Sequence, residues 1–96
     1  MRVTLRPEAE ADIEDAARWY EERRKGLGDE FLDEILRTLG ALGENPDLYV
    51  RVHGQVRRAV IHRFPFGVFY IVEDNNAVVV AVMHASRDPV EWKSRT

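Results

Sequence analysis

The sequence predicts a single α+β domain, β-α-α-β-β-β, with one antiparallel sheet carrying a helical hairpin on one face. Three observations lead there. After a short strand, the first half holds two apolar stripes at helical spacing, parted by Gly26-Leu27-Gly28. The second half consists of β-branched and aromatic runs punctuated by turn residues. The 96 residues, 45% hydrophobic and 32% charged, suit one domain (1–96) with one modest core.

Val3 and Leu5 alternate as a short strand, which Arg6-Pro7 ends. Pro7 suits a first helical position, where its missing N–H has no partner to lose. Ala9, Ile13, Ala16, Ala17 and Tyr20 then repeat at helical spacing, predicting a helix to Arg24 or Lys25. After the glycine break, Asp29 opens a second helix or lies in its first turn. Its wide stripe of Phe31, Leu32, Ile35, Leu36, Leu39 and Leu42 marks it as the more buried of the two. Asn45-Pro46 stops it. The short joining loop makes the helices antiparallel neighbours.

Val56 to Arg63 reads as the second strand and Phe64-Pro65-Phe66-Gly67 as a turn or bulge. Val68 to Glu73 follows as the third strand, Asp74-Asn75-Asn76 as a tight hairpin turn, and Ala77 to Ala85 as the fourth. A helical turn is expected after Pro89. Alternating directions make the last strand antiparallel to the first. The expected sheet order is 1-4-3-2, with both helices on one face and nothing assigned to the other.

Composition narrows the function classes. There is no cysteine, so disulfides and thiolate metal sites are excluded and a reducing compartment is the natural home. No apolar run approaches the ~18 residues of a membrane span, and the N-terminus has no signal-peptide pattern, so a cytoplasmic location is expected. The net charge of −3 is uneven: residues 1–48 hold seven Lys/Arg against thirteen Asp/Glu (−6), residues 49–96 seven against four (+3). An acidic total argues against broad nucleic-acid binding, while a basic second half permits a local anion-binding face.

The polar residues inside the apolar strands are the candidates for chemistry. They are Arg57, Arg58, His62, Arg63, His84, Arg87 and Asp88; arginines on phosphate with a histidine moving a proton would together suit RNA cleavage. Phe64, Phe66 and Trp92 could stack on bases. Each has a plainer role: Arg57 and Arg58 keep an edge strand soluble, His84 ends a strand, Arg87-Asp88 holds the tail, and the aromatics pack. His53, His62 and His84 lack metal-ligand spacing, so no metal is expected. No phosphate loop, glycine-rich fingerprint or Ser/His/Asp signature implies a cofactor.

The run VRRAVIHRFPFGVFYIVEDNNAVVVAVMHASRDPVEW resembles the RelE/ParE toxin superfamily. Arg57-Arg58, Arg63-Phe64-Pro65-Phe66, Tyr70 and His84 to Trp92 carry the match. Ala9, Asp12, Ile13, Trp19-Tyr20, Leu27-Gly28, Phe31 and Asn45-Pro46 extend it over nearly the whole chain. The resemblance implies a growth-inhibiting, plasmid-stabilising toxin of a type II toxin–antitoxin pair. A cognate antitoxin would neutralise it and would itself contact operator DNA. RelE-like members cut mRNA on the ribosome, whereas ParE-like members inhibit DNA gyrase. RelE-like toxins are strongly basic and often carry a catalytic Tyr or His in the tail. This chain is acidic, and no Tyr or His follows His84. The expectation is therefore a ParE-like gyrase inhibitor, with partner-binding residues Trp19, Arg57 and Trp92. The alternatives are a ribosome-dependent endoribonuclease using Arg58, Arg63, His84 and Arg87, and a non-toxic relative that only partners an antitoxin.

Overall fold

Strand parity governs the architecture. In a computed structural model describing Met1–Thr96, the elements run β1 (Arg2–Leu5), α1 (Pro7–Arg23), α2 (Leu27–Glu44), β2 (Arg51–His53), β3 (Val56–Val60), β4 (Phe66–Glu73), β5 (Asn76–His84) and α3 (Val90–Lys93). The sheet has five strands in the order β1-β5-β4-β3-β2. β1 pairs with β5 in parallel; the other pairings are antiparallel.

This corrects the expected antiparallel sheet of order 1-4-3-2. The short β2 forms a hairpin with β3 that carries little hydrophobic signal. One additional strand adds one reversal, so the last strand runs with the first rather than against it. The expected second strand also stops early, at Val60, and Phe66-Gly67 belong to β4 rather than to a turn. The adjacency of first and last strands, the helical hairpin and its placement on one face all stand.

Local chemistry explains most boundaries. Pro7 opens α1, with Glu8 and Glu10 in its first turn. α2 has no side-chain cap of its own. Instead the Glu21 carboxylate of α1 accepts the N–H groups of Gly26 and Gly28 at 3.0–3.1 Å, satisfying donors that a helix start leaves open. Those two backbone bonds hold the Glu21 carboxyl below its usual range. A Cβ on Gly28 would lie 2.7 Å from the Ala17 carbonyl, so glycine sets the approach of the two helices. Asp74 and Asn75 take φ of 52° and 59° in the β4–β5 hairpin, as a two-residue turn with both φ positive requires.

Two apolar clusters sit on the two sheet faces. The larger joins Ile13, Phe31, Ile35 and Leu42 of the helices to Val68, Tyr70, Val79 and Val82 of the sheet. Tyr20, Phe31, Phe64 and Phe66 pack there with ring centroids 4.9–6.1 Å apart. The smaller, outer cluster joins Val56, Phe69, Val80, Ala81 and Met83 to Trp92, so the face left unassigned from sequence is covered by α3. Trp92 stacks on Phe69 at 4.5 Å.

Tyr70 lies fully buried within the larger cluster, and its hydroxyl donates to the Pro46 carbonyl at 2.5 Å, tying β4 to the loop that leaves α2. Burial pushes its phenol up to about 12. Tyr70→Phe should cost about 1 kcal/mol in denaturant unfolding, because the Pro46 carbonyl loses its partner. A phenol whose pKa is raised on folding stabilises fully below its ordinary pKa of 10.0, and that contribution is lost as pH rises to about 12. Across that window the wild type should lose stability more steeply than Tyr70→Phe.

Candidate functional site

β5 is nine residues long and β1 only four, so they pair only from Asn76 to Val79. Beyond Val79 the outer edge of β5 faces α1 across a groove of about 430 Å³. Trp19 and Tyr20 line it from the helix, Phe66, Val82 and His84 from the sheet, and Arg87 from the segment that follows. This is the mix of aromatic and arginine side chains that carries binding energy at protein interfaces. Trp19 is 50% exposed, with the Arg23 guanidinium 3.9 Å from its ring centroid.

A β-bulge decides what faces this groove. Phe69 pairs with Ala81 but Tyr70 with Val79, leaving Val80 as the additional residue. Strict alternation from Ala77 would put Ala81 and Met83 on the helix side. The bulge turns them to the outer cluster and brings Val82 to the helix side. His84 follows, packing at 5.3 Å against Phe66.

The bulge also leaves backbone groups without a strand partner, and two side chains take them. Asp12 of α1 accepts the Val82 N–H at 2.9 Å. Arg95 of the tail donates to the Val80 carbonyl at 3.1 Å. The two side chains also form a bidentate pair, at 2.6 and 3.2 Å. Arg6 in turn donates to the Arg95 carbonyl at 2.9 Å. Arg95 thus reaches from the tail beside the outer face, across the sheet edge, to a helix on the inner face. Sequence reasoning singled out neither residue for this role. Asp12 left a faint signal, a carboxylate bordering the Ala9-Ile13-Ala16 stripe; Arg95 left none.

The candidate cleavage residues do not converge. Arg58 lies on the outer face, exposed, its stem laid over Gly67; a Cβ there would sit 3.0 Å from Arg58 Cγ. Arg63, at φ 74° in the β3–β4 turn, donates to Glu30 at 2.7 Å. Glu30 also accepts from Arg24 at 3.1 Å. These bonds, Arg63 first, hold the Glu30 carboxyl below its usual range, and the bond to Glu30 raises Arg63. Arg87 donates through Nε and Nη2 to Glu91, both at 2.7 Å, which lowers Glu91 and raises Arg87. His84 Nδ1 accepts the Ser86 N–H at 2.9 Å. In the neutral ring the proton then sits on Nε2, so His84 presents a donor where a general base would need a lone pair.

Of the residues expected to bind partners, Trp19 stands open on the groove. Arg57 is turned inward, donating to the Tyr49 and Asp47 carbonyls at 2.6 and 3.2 Å. Trp92 of α3 is 7% exposed, laid against Phe69 on the outer face. Phe64 is buried and Phe66 half-buried, both in the aromatic cluster. No group of three or more His, Cys, Asp or Glu side chains is placed to hold a metal ion. No helix is long and apolar enough to cross a membrane.

The family described as "ParE toxin of type II toxin-antitoxin system, parDE" matches residues 3–89. Among solved structures, twelve chains match. One, from the chromosomal ParDE TA system of P. aeruginosa, superposes with a TM-score of 0.74 at 16% identity, covering 88% of this chain and 95% of that one. The isolated E. coli RelE toxin superposes with a TM-score of 0.65 at 15% identity, covering 97% and 93%. At such identities the likeness is one of fold. No curated protein matches in sequence.

Two measurements check this geometry. Nitrogen-15 NMR of the histidine rings should show neutral His84 with its proton on Nε2; a proton on Nδ1 would contradict the Ser86 contact. Asp12→Ala should cost about 2 kcal/mol in unfolding, since it strands both Arg95 and the Val82 N–H. Asp12→Asn, whose amide oxygen still accepts from Val82, should recover part of that loss.

Proposed function

Because the chain belongs to the ParE toxin family of type II toxin–antitoxin systems, we propose that it is the cytoplasmic toxin half of such a pair and acts by binding DNA gyrase. The observation that carries this reading is the dispersal of the residues that RNA cleavage would need. Arg58 stands on one sheet face and His84 on the other. Arg63 and Arg87 are each engaged by their own carboxylate, and His84 Nδ1 is already taken by the Ser86 N–H. A transition state gaining negative charge needs cations free to meet it, and this groove holds none of that kind.

The groove does suit protein recognition. It has an exposed Trp beside an Arg, a floor of buried aliphatic and half-buried aromatic side chains, and polar groups at its rim. Family membership implies a cognate antitoxin, and the antitoxin is the partner assigned here to the groove. Antitoxin segments commonly order on binding, which lets a short chain wrap a small toxin. Contact with operator DNA would then run through the antitoxin, in keeping with this chain's net charge of −3.

Expression of the chain alone in a bacterial host, with mapping of transcript ends and a parallel gyrase supercoiling assay, tests the proposal. The expected result is growth arrest with intact mRNA and lost supercoiling. Transcripts cut within translated codons would overturn it in favour of a ribosome-dependent nuclease, and harmless expression would mark a partner-only relative. His84→Ala and Arg63→Ala should both remain toxic. Trp19→Asp should weaken antitoxin binding at least about tenfold.

A further inference from the structure

The outer edge of β5 carries a pattern of occupied and vacant backbone groups. Ala85 N–H donates to the Pro65 carbonyl at 2.7 Å, making that pair a hydrogen-bonded one. By the alternation of an antiparallel ladder, Met83–Gly67 is also bonded. His84–Phe66 and Val82–Val68 are the non-bonded pairs between them. The N–H and C=O of Val82 and His84 therefore point away from β4, into the space that β1 has left. β1 ends at Leu5; the Arg6 N–H makes the last contact, with the Val79 carbonyl at 3.0 Å.

Consider the outward groups in order. The Val80 carbonyl accepts from Arg95, and the Val82 N–H donates to Asp12. In a parallel ladder, one residue of the neighbouring strand donates to the carbonyl of residue i and accepts from the N–H of residue i+2. The Asp12–Arg95 pair supplies that same combination at Val80 and Val82. It stands where one residue of a parallel strand, a continuation of β1, would lie opposite Ala81. The next combination along, the Val82 carbonyl with the His84 N–H, is vacant. The His84 carbonyl beyond it is taken by the Arg87 N–H at 3.0 Å. An antiparallel neighbour would need both groups of Val82, and one of these is engaged.

We propose that this vacant place on β5 receives an extended segment of the partner chain, running parallel to β5 with one residue opposite Met83, and that the Asp12–Arg95 pair fixes its register by blocking the position before it. The segment's backbone donates to the Val82 carbonyl and accepts from the His84 N–H, completing an edge that would otherwise invite indiscriminate pairing. Its flanking side chains on the helix side are apolar, because they enter the groove between Trp19, Tyr20 and Phe66. The partner is taken to be the antitoxin, so the inference rests on the toxin reading.

Hydrogen exchange on the full chain, alone and in complex with the antitoxin from the neighbouring reading frame, tests it. The His84 amide is expected to exchange freely in the isolated chain and at least about tenfold more slowly in the complex. The tail contacts of Arg95 should persist. A tight complex in which the His84 amide exchanges as before would overturn this docking while leaving the toxin reading intact. Failure of any complex to form would overturn both. A pair of variants separates backbone from side chain. His84→Ala and His84→Pro both lose the ring and its Ser86 contact, and only His84→Pro also loses the outward N–H, a change an edge position tolerates; it should lose at least about tenfold in affinity relative to His84→Ala. Equal affinities would overturn the proposal, and if His84→Pro does not fold, the exchange measurement decides.

Discussion

A nine-residue strand beside a four-residue one leaves half of its outer edge without a neighbour, and much of this molecule is arranged around that imbalance. Unpaired backbone groups away from water are costly. Here the remedy is a carboxylate from α1 and a guanidinium from the tail, meeting on the bulge in β5. The same pair anchors three elements to one another: the helix α1, the strand β5 and the C-terminus. The groove exists because the remedy stops at Val82.

Charge follows a similar economy. Three of the six arginines of the second half are paired with carboxylates of the first: Arg63 with Glu30, Arg57 with Asp47, Arg95 with Asp12. The −6 of the first half and the +3 of the second are thus partly one another's partners. Where such a pair is exposed, as Arg63–Glu30 is, it adds little stability singly. The consequence of the pairs is functional, because an arginine already held by a carboxylate is poorly placed to meet a phosphate. A surface built this way favours shape and apolar contact over electrostatic capture.

The two faces of the sheet are correspondingly unequal. The helix side holds the large core and the groove. The outer side holds a thin cluster roofed by a four-residue helix, with Trp92 laid on Phe69. Arg95 links them across the edge, so the tail that covers one face also helps define the groove on the other.

Much of this was legible in the residues alone. The spacing of Ala9, Ile13 and Ala16, the wide stripe from Phe31 to Leu42, the breaks at Gly26 and Pro46 and the β-branched run after Asn76 determine the helices and the central strand, because each depends on neighbours a few residues away. So does the turn at Asp74-Asn75. The order of strands was legible except where β2, three residues with one apolar side chain, carried too weak a periodicity to count, and that one omission reversed the sense of β1 against β5. Tertiary structure alone decided which face His84 joins, since a single-residue bulge flips every side chain after it. It alone brought Asp12 to Arg95, separated by 83 positions, and set Arg58 and His84 on opposite faces. Periodicity reports the local path of the chain; pairing across a sheet edge is settled only when distant backbone groups must find partners.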